Sequence, residues 1–118
     1  MTITLEEAEI ILDQIADALP SAIFNGLNGG YVLTAETKID KNGLYILGHY
    51  NVEPNGLGRY ITVYYGSIAA VYGNMNEHGW RRQLKDVLHH ELTHHLEHLA
   101  GDRSLEIQDE VDKARYLS

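Results

Sequence analysis

Residues 80–100 contain neither glycine nor proline, in a chain of 118 residues whose 11 glycines punctuate almost everything else. Within that stretch Leu84, Leu88, Leu92 and Leu99 recur at helical spacing, with Leu96 at the margin, and Gly101 stands where a C-cap glycine belongs. The pattern predicts one helix of about 30 Å, enough to cross a small domain. The rest of the chain must be built around it. The length fits a single domain over residues 1–118.

The remaining elements follow from local chemistry. Thr4 with Glu7 three residues on is a capping-box pair, and Leu5, Ala8, Leu12, Ile15, Ala16 and Leu19 then repeat at helical spacing until Pro20. This predicts an N-terminal helix over residues 5–19. The stretch 25–30 is loop by composition. Residues 31–39, 44–50 and 59–65 read as strands, separated by the turn signal Asp40-Lys41-Asn42-Gly43 and by a loop holding Pro54, Asn55, Gly56 and Gly58. Residues 67–72 fit either a strand or a short helical turn, because so short a run has no decisive period. Beyond Gly101, Leu105, Ile107 and Val111 among five acids suggest a short final helix. Helix, strands, long helix, short helix is an α+β order around a small mixed sheet.

Composition removes several function classes. Seventeen acids against nine bases give a formal charge of −8, so no basic face is available for nucleic acid or for an anionic membrane surface. There is no cysteine, which excludes disulfides, thiolate zinc sites and cysteine nucleophiles, and fits a reducing compartment. The first twelve residues carry Glu6, Glu7 and Glu9 and do not read as a signal peptide. No apolar run reaches membrane-spanning length. The expected location is the cytoplasm.

Of seven histidines, five fall between His89 and His98, on the long helix. His90-Glu91-Leu92-Thr93-His94 spells H-E-x-x-H. Residues four apart lie about 40° apart around a helix and about 6 Å apart along it, so two imidazoles can share one zinc ion at about 2.0–2.1 Å. Glu91 is rotated about 100° from His90. It is poorly placed to ligate the same ion but can reach a water beside it. Zinc lowers such a water's pKa towards about 7, and a carboxylate can take its proton and hand it to a leaving amine. His90 and His94 are thus candidate ligands for one Zn2+ per chain, and Glu91 the candidate general base. These histidines fall away from the leucine stripe, so the core does not demand them.

A third protein ligand is needed if water is to keep the fourth position. His98 lies about 12 Å along the axis from His90 and cannot join it on a straight helix. Asp102 follows Gly101, where the chain can turn back, and Glu106 is one helical turn further; chain geometry leaves the two even. Asp109 and Glu110 need a longer return. The other histidines have plain readings: His95, near the leucine stripe, as a half-buried hydrogen-bonded residue, and His89, near Lys85, as solvated. His49, His78, Tyr64, Tyr65 and Tyr72 are open as oxyanion donors, though no spacing demands any of them.

The run His90-Glu91-Leu92-Thr93-His94-His95-Leu96, followed by Asp102-Arg103-Ser104-Leu105-Glu106, resembles the short single-domain bacterial zincin-like metallopeptidases. Their pattern is H-E-x-x-H-H-F-G-x-x-D, then a leucine and an acid. The upstream segments Leu44-Tyr45-Ile46-Leu47-Gly48 and Ile61-Thr62-Val63-Tyr64-Tyr65-Gly66 look similar in order. Glu97 replaces the family's glycine, and a longer stretch, His98-Leu99-Ala100-Gly101, precedes the acid. The resemblance implies a zincin-like fold with the metal helix under the sheet. It also implies Asp102 as third ligand, with Glu106 the alternative.

These readings lead to a zinc-dependent metallopeptidase acting on a peptide or protein substrate. The strand over residues 59–65, or the run after it, would offer an edge for the substrate backbone. The alternative is a non-catalytic metal-binding or peptide-recognition module of the same fold, which suits the small size but gives Glu91 no task. A metal buffer or a nickel or cobalt site is the third reading, since two imidazoles and a carboxylate do not select zinc strictly. Substrate identity and oligomeric state are not encoded in any motif.

Overall fold

A computed structural model of the chain describes residues 2–53, 55–56 and 58–101. The first helix, α1 (Leu5–Asp17), starts as its capping box dictates: the Thr4 hydroxyl accepts from the Glu7 amide at 3.1 Å, and the Thr4 amide donates to the Glu7 carboxylate at 2.8 Å. Ala8, Ile11, Leu12, Ile15 and Ala16 form its buried face. It ends two residues before the expected Leu19, and a 3-10 turn (Ser21–Phe24) follows Pro20.

Among the described residues five strands follow: β1 (Tyr31–Thr34), β2 (Lys38–Ile39), β3 (Tyr45–Ile46), β4 (Gly48–Glu53) and β5 (Gly58–Tyr64). The single strand expected over residues 31–39 is two, in different sheets. β1 pairs in parallel with β5, Tyr31 opposite Ile61, whereas β2 pairs antiparallel with β3, Lys38 opposite Ile46. β4 pairs antiparallel with β5, His49 opposite Thr62, so the larger sheet is mixed, in the order β1-β5-β4. β5 is its central strand and offers no free edge. Among the described residues the edges are β1 and β4, which corrects the expectation that residues 59–65 would offer an edge to a substrate.

The ambiguous run resolves as helix α2 (Tyr65–Tyr72), beginning directly after β5. Its entry explains why residues 31–39 break. A methyl group on Gly66 would sit 2.5 Å from the Ala35 carbonyl oxygen, so the segment between β1 and β2 runs hard against the helix backbone. The buried Ser67 hydroxyl then accepts from the Lys38 amide at 2.8 Å and donates to the Lys38 carbonyl at 3.1 Å, which fastens β2 to α2.

The long helix, α3 (Glu77–Leu99), begins one turn earlier than leucine spacing suggests, because the Asn76 side chain caps it by accepting from the Gly79 amide at 2.9 Å. Beyond its last turn Gly101 takes the left-handed conformation, φ +80°, as a C-cap glycine should. α3 packs on α1 and on β4 and β5. Trp80, Leu84, Val87, Leu88 and Leu92 are its buried apolar residues. The α+β class is therefore observed. The final helix expected after Gly101 lies outside the described residues.

Gly66→Ala should destabilise the fold by about 1–3 kcal/mol, the usual range for forcing a methyl into filled space. Urea denaturation would measure this, with Gly101→Ser as a control that meets open space but carries the left-handed strain.

Candidate metal centre and cleft

The histidine-bearing part of α3 is buried over a wider arc than its leucines predict. Glu91 and His94 are each 2% exposed and His95 is fully buried, whereas Leu96 and Leu99 are 43% and 46% exposed. The expectation that the motif faces away from the core is thus corrected. α1 covers one flank of the helix and β4 and β5 another, so the inward surface takes in positions 91, 94 and 95.

His90 and His94, on consecutive turns, bring their ring centroids to 4.8 Å with the planes almost perpendicular, 87°. Two imidazoles bound to one ion at about 2.0–2.1 Å place their centres roughly 5 Å apart, so this pair has the spacing of a shared cation. Glu91 lies between them in sequence and points to the sheet. An added methyl on Gly48 would stand 3.2 Å from the Glu91 Cγ, 3.4 Å from its Oε2 and 2.5 Å from the Val87 Cγ1. Only glycine lets the start of β4 approach α3 this closely. Tyr64, at the end of β5, is buried nearby. Burial raises its hydroxyl pKa, and Glu36, Tyr60 and the Glu91 carboxylate raise it further, so the phenol keeps its proton at neutral pH.

His95 has a different occupation. Its Nε2 lies 2.8 Å from the Asn25 carbonyl oxygen, which can only accept, so Nε2 carries the proton. Its Nδ1 lies 2.8 Å from the Tyr50 hydroxyl, which donates to it in the neutral ring. Both nitrogens are engaged, and His95 ties α3 to β4 and to the loop before β1. The reading as a hydrogen-bonded residue holds, but the ring is wholly rather than half buried. His98 is partly exposed and stands edge-on to the Tyr50 ring at 5.9 Å. His89 and His78 are exposed, and His49 is half-buried in β4.

His90 opens onto a cleft of about 470 Å³ between α2 and α3, lined by Tyr72, Gln83, Asp86, Val87, His89, His90 and Thr93. Gln83, Asp86 and Gly48 were not singled out from the sequence. Asp86 could have been found from its spacing, four residues before His90 on the same face, and Gly48 from its place inside a strand. Among the described residues no three His, Asp or Glu side chains gather as a metal-binding group. Asp102 and Glu106, the third-ligand candidates, lie outside the described residues, as do Asp109 and Glu110.

His95→Ala should cost about 2–5 kcal/mol, since it empties a buried site and leaves the Asn25 carbonyl and Tyr50 hydroxyl without their partner. Tyr50→Phe, which removes one of the two bonds and leaves the volume, should cost about 1–3 kcal/mol. Urea titration would rank them. Equal and negligible effects would show that the network does not hold α3 in place.

No family model and no curated protein matches the chain. A solved structure does, described as a conserved hypothetical protein from Thermo thermophilus, with 30% identity and a TM-score of 0.78 over 96% of this chain and 94% of that one. These findings correct the resemblance to the short bacterial zincin-like metallopeptidases. The similar structure has no such assignment, and the described residues hold no complete ligand group. The geometry departs at the same place as the sequence: where that family has a glycine, α3 continues through Glu97 to Leu99, and the left-handed glycine is Gly101. The 30% identity over nearly the whole of both chains places this chain in the same family as the conserved hypothetical protein from Thermo thermophilus.

Proposed function

We propose that this protein is a zinc-dependent peptidase, with His90 and His94 as metal ligands and Glu91 as general base. The observation that carries the reading is the paired geometry of His90 and His94, 4.8 Å between ring centroids, with a buried carboxylate between them in sequence. The donor set suits zinc, since neutral imidazole is a standard nitrogen ligand for it. One acid after Gly101, Asp102 or Glu106, is proposed to complete the protein ligands. The zincin-like placing of a metal helix beneath a mixed sheet is part of the proposal.

Zinc, when bound, supplies Lewis acidity for attack on a carbonyl. Glu91 takes the proton of the attacking water on its carboxylate and passes it to the departing amine. Gly48 fixes where that carboxylate can lie, because β4 closes on its Cγ and Oε2. Tyr64, whose burial raises its hydroxyl pKa, keeps its proton and adds no negative charge near the Glu91 carboxylate. β4 is an edge strand, and its first residue abuts Glu91, so it is the strand best placed to align an extended substrate.

His90→Ala and His94→Ala should each abolish stoichiometric zinc binding in native mass spectrometry. Full retention in both would remove the site. Glu91→Gln should keep zinc and lower peptide cleavage by about 10²–10⁴-fold, because the amide cannot accept the proton. Zinc bound by the wild type with no cleavage across a diverse peptide library would support the non-catalytic module instead. Chelator competition on Asp102→Ala and Glu106→Ala would identify the third ligand as the variant with the larger loss.

A further inference from the structure

The cleft beside His90 has a composition that the hydrolytic reading does not use. Tyr72 gives it an aromatic wall, and Asp86 and Gln83, one and two helical turns before His90, give it a polar end. Among the described residues, Asp86 is the only carboxylate that lines it, and no lysine or arginine does. Arg82 lies four residues before Asp86, the spacing of a helical ion pair, yet the ion pairs among the described residues are Lys38–Glu36 and Arg81–Glu77. Asp86 therefore presents its charge to the cleft with no lysine or arginine among the described residues paired to it. The chain's formal charge of −8 reinforces the local sign.

We infer that this cleft selects a cationic side chain, lysine or arginine, next to the bond to be cleaved. The inference rests on the peptidase reading for its place in the reaction, but not for binding itself. A lysine side chain has an aliphatic stem and a charged head, and the cleft offers the matching order of surfaces. The stem lies along the Tyr72 ring, which also attracts cations through its face, and the head meets Asp86 and the Gln83 amide. The spacing agrees. One helical turn puts Asp86 about 6 Å along α3 from His90, within the reach of an extended lysine side chain. An anionic side chain would bring like charges together in the same space, and a purely apolar one would leave Asp86 and Gln83 facing it without a partner.

The test uses zinc-loaded wild type, Asp86→Asn and Asp86→Lys, and peptides that differ only in lysine, acetyl-lysine or glutamate at one position. Cleavage is read as the kcat/KM ratio of the lysine and acetyl-lysine peptides. Binding is read separately by fluorescence anisotropy on the Glu91→Gln background, where no turnover confuses it. The wild type should prefer lysine by about fivefold, the range of a partly exposed ion pair, and Asp86→Asn should bring the ratio near one. Asp86→Lys should reverse the preference in favour of a glutamate peptide. A lysine preference in binding that follows Asp86, with no cleavage by wild type, would keep this inference and overturn the peptidase reading. Cleavage with no lysine preference, or a preference that survives Asp86→Asn, would overturn this inference and keep the peptidase. Binding of none of the peptides overturns it as well.

Discussion

The contact between Gly48 and the Val87–Glu91 turn of α3 sets the geometry of everything near the motif. A methyl at Gly48 would come within 2.5 Å of Val87. Its absence lets β4 lie directly on the helix, and β4 carries Tyr50 to His95 one turn further along α3. The His95–Asn25 bond then brings in the loop before β1, and β1 joins β5 in parallel. One close approach and one imidazole thus connect the sheet, the long helix and the α1–β1 loop. Atoms in such an interior are packed as densely as an organic crystal, so a shift at either point passes to its neighbours.

Legibility in the sequence followed the range of the forces involved. The α1 start was readable because Thr4 and Glu7 bond within one turn, and the α3 end because Gly101 needs a conformation that glycine adopts at little cost. His90 and His94 were readable as a pair because both sit on one helix whose period fixes their spacing. The split of residues 31–39 was not readable. It depends on Gly66, far along the chain, and on where α2 meets the segment between β1 and β2. The order of the sheet was hidden for the same reason. A strand rich in Ile61, Val63 and tyrosine looks the same at an edge and at the centre, and only β1 arriving in parallel makes β5 central. The burial of Glu91, His94 and His95 escaped because leucine spacing marks one stripe, whereas α3 is covered from two directions.

Exposure on the two sides of the motif is unequal. Glu91 and His94 face the packed interior, while His90 reaches the cleft shared with Tyr72 and Asp86. His90 is therefore the member of the motif that lines open space, and Glu91 lies behind it. The aromatic positions follow the same division. Tyr50 and Tyr64 are buried and hold or accompany the motif, and Tyr72 faces the cleft. Burial raises the pKa of both inner hydroxyls, so neither adds a negative charge beside the motif near neutral pH.

Three polar side chains, Glu91, His94 and His95, are buried on α3. Placing a carboxylate or an imidazole in an interior costs free energy that a leucine would not, and a domain this small keeps only about 5–15 kcal/mol in all. His95 recovers its cost through two hydrogen bonds that join separate elements, so its presence has a structural explanation. Glu91 and His94 sit on the same turns, 2% exposed, at positions where further leucines would continue the core around Leu88 and Leu92. The Glu91 carboxylate lies against the backbone of β4 and the His94 ring centroid lies 4.8 Å from that of His90, so with His95 one face of α3 places three polar side chains inside the packing of helix and sheet.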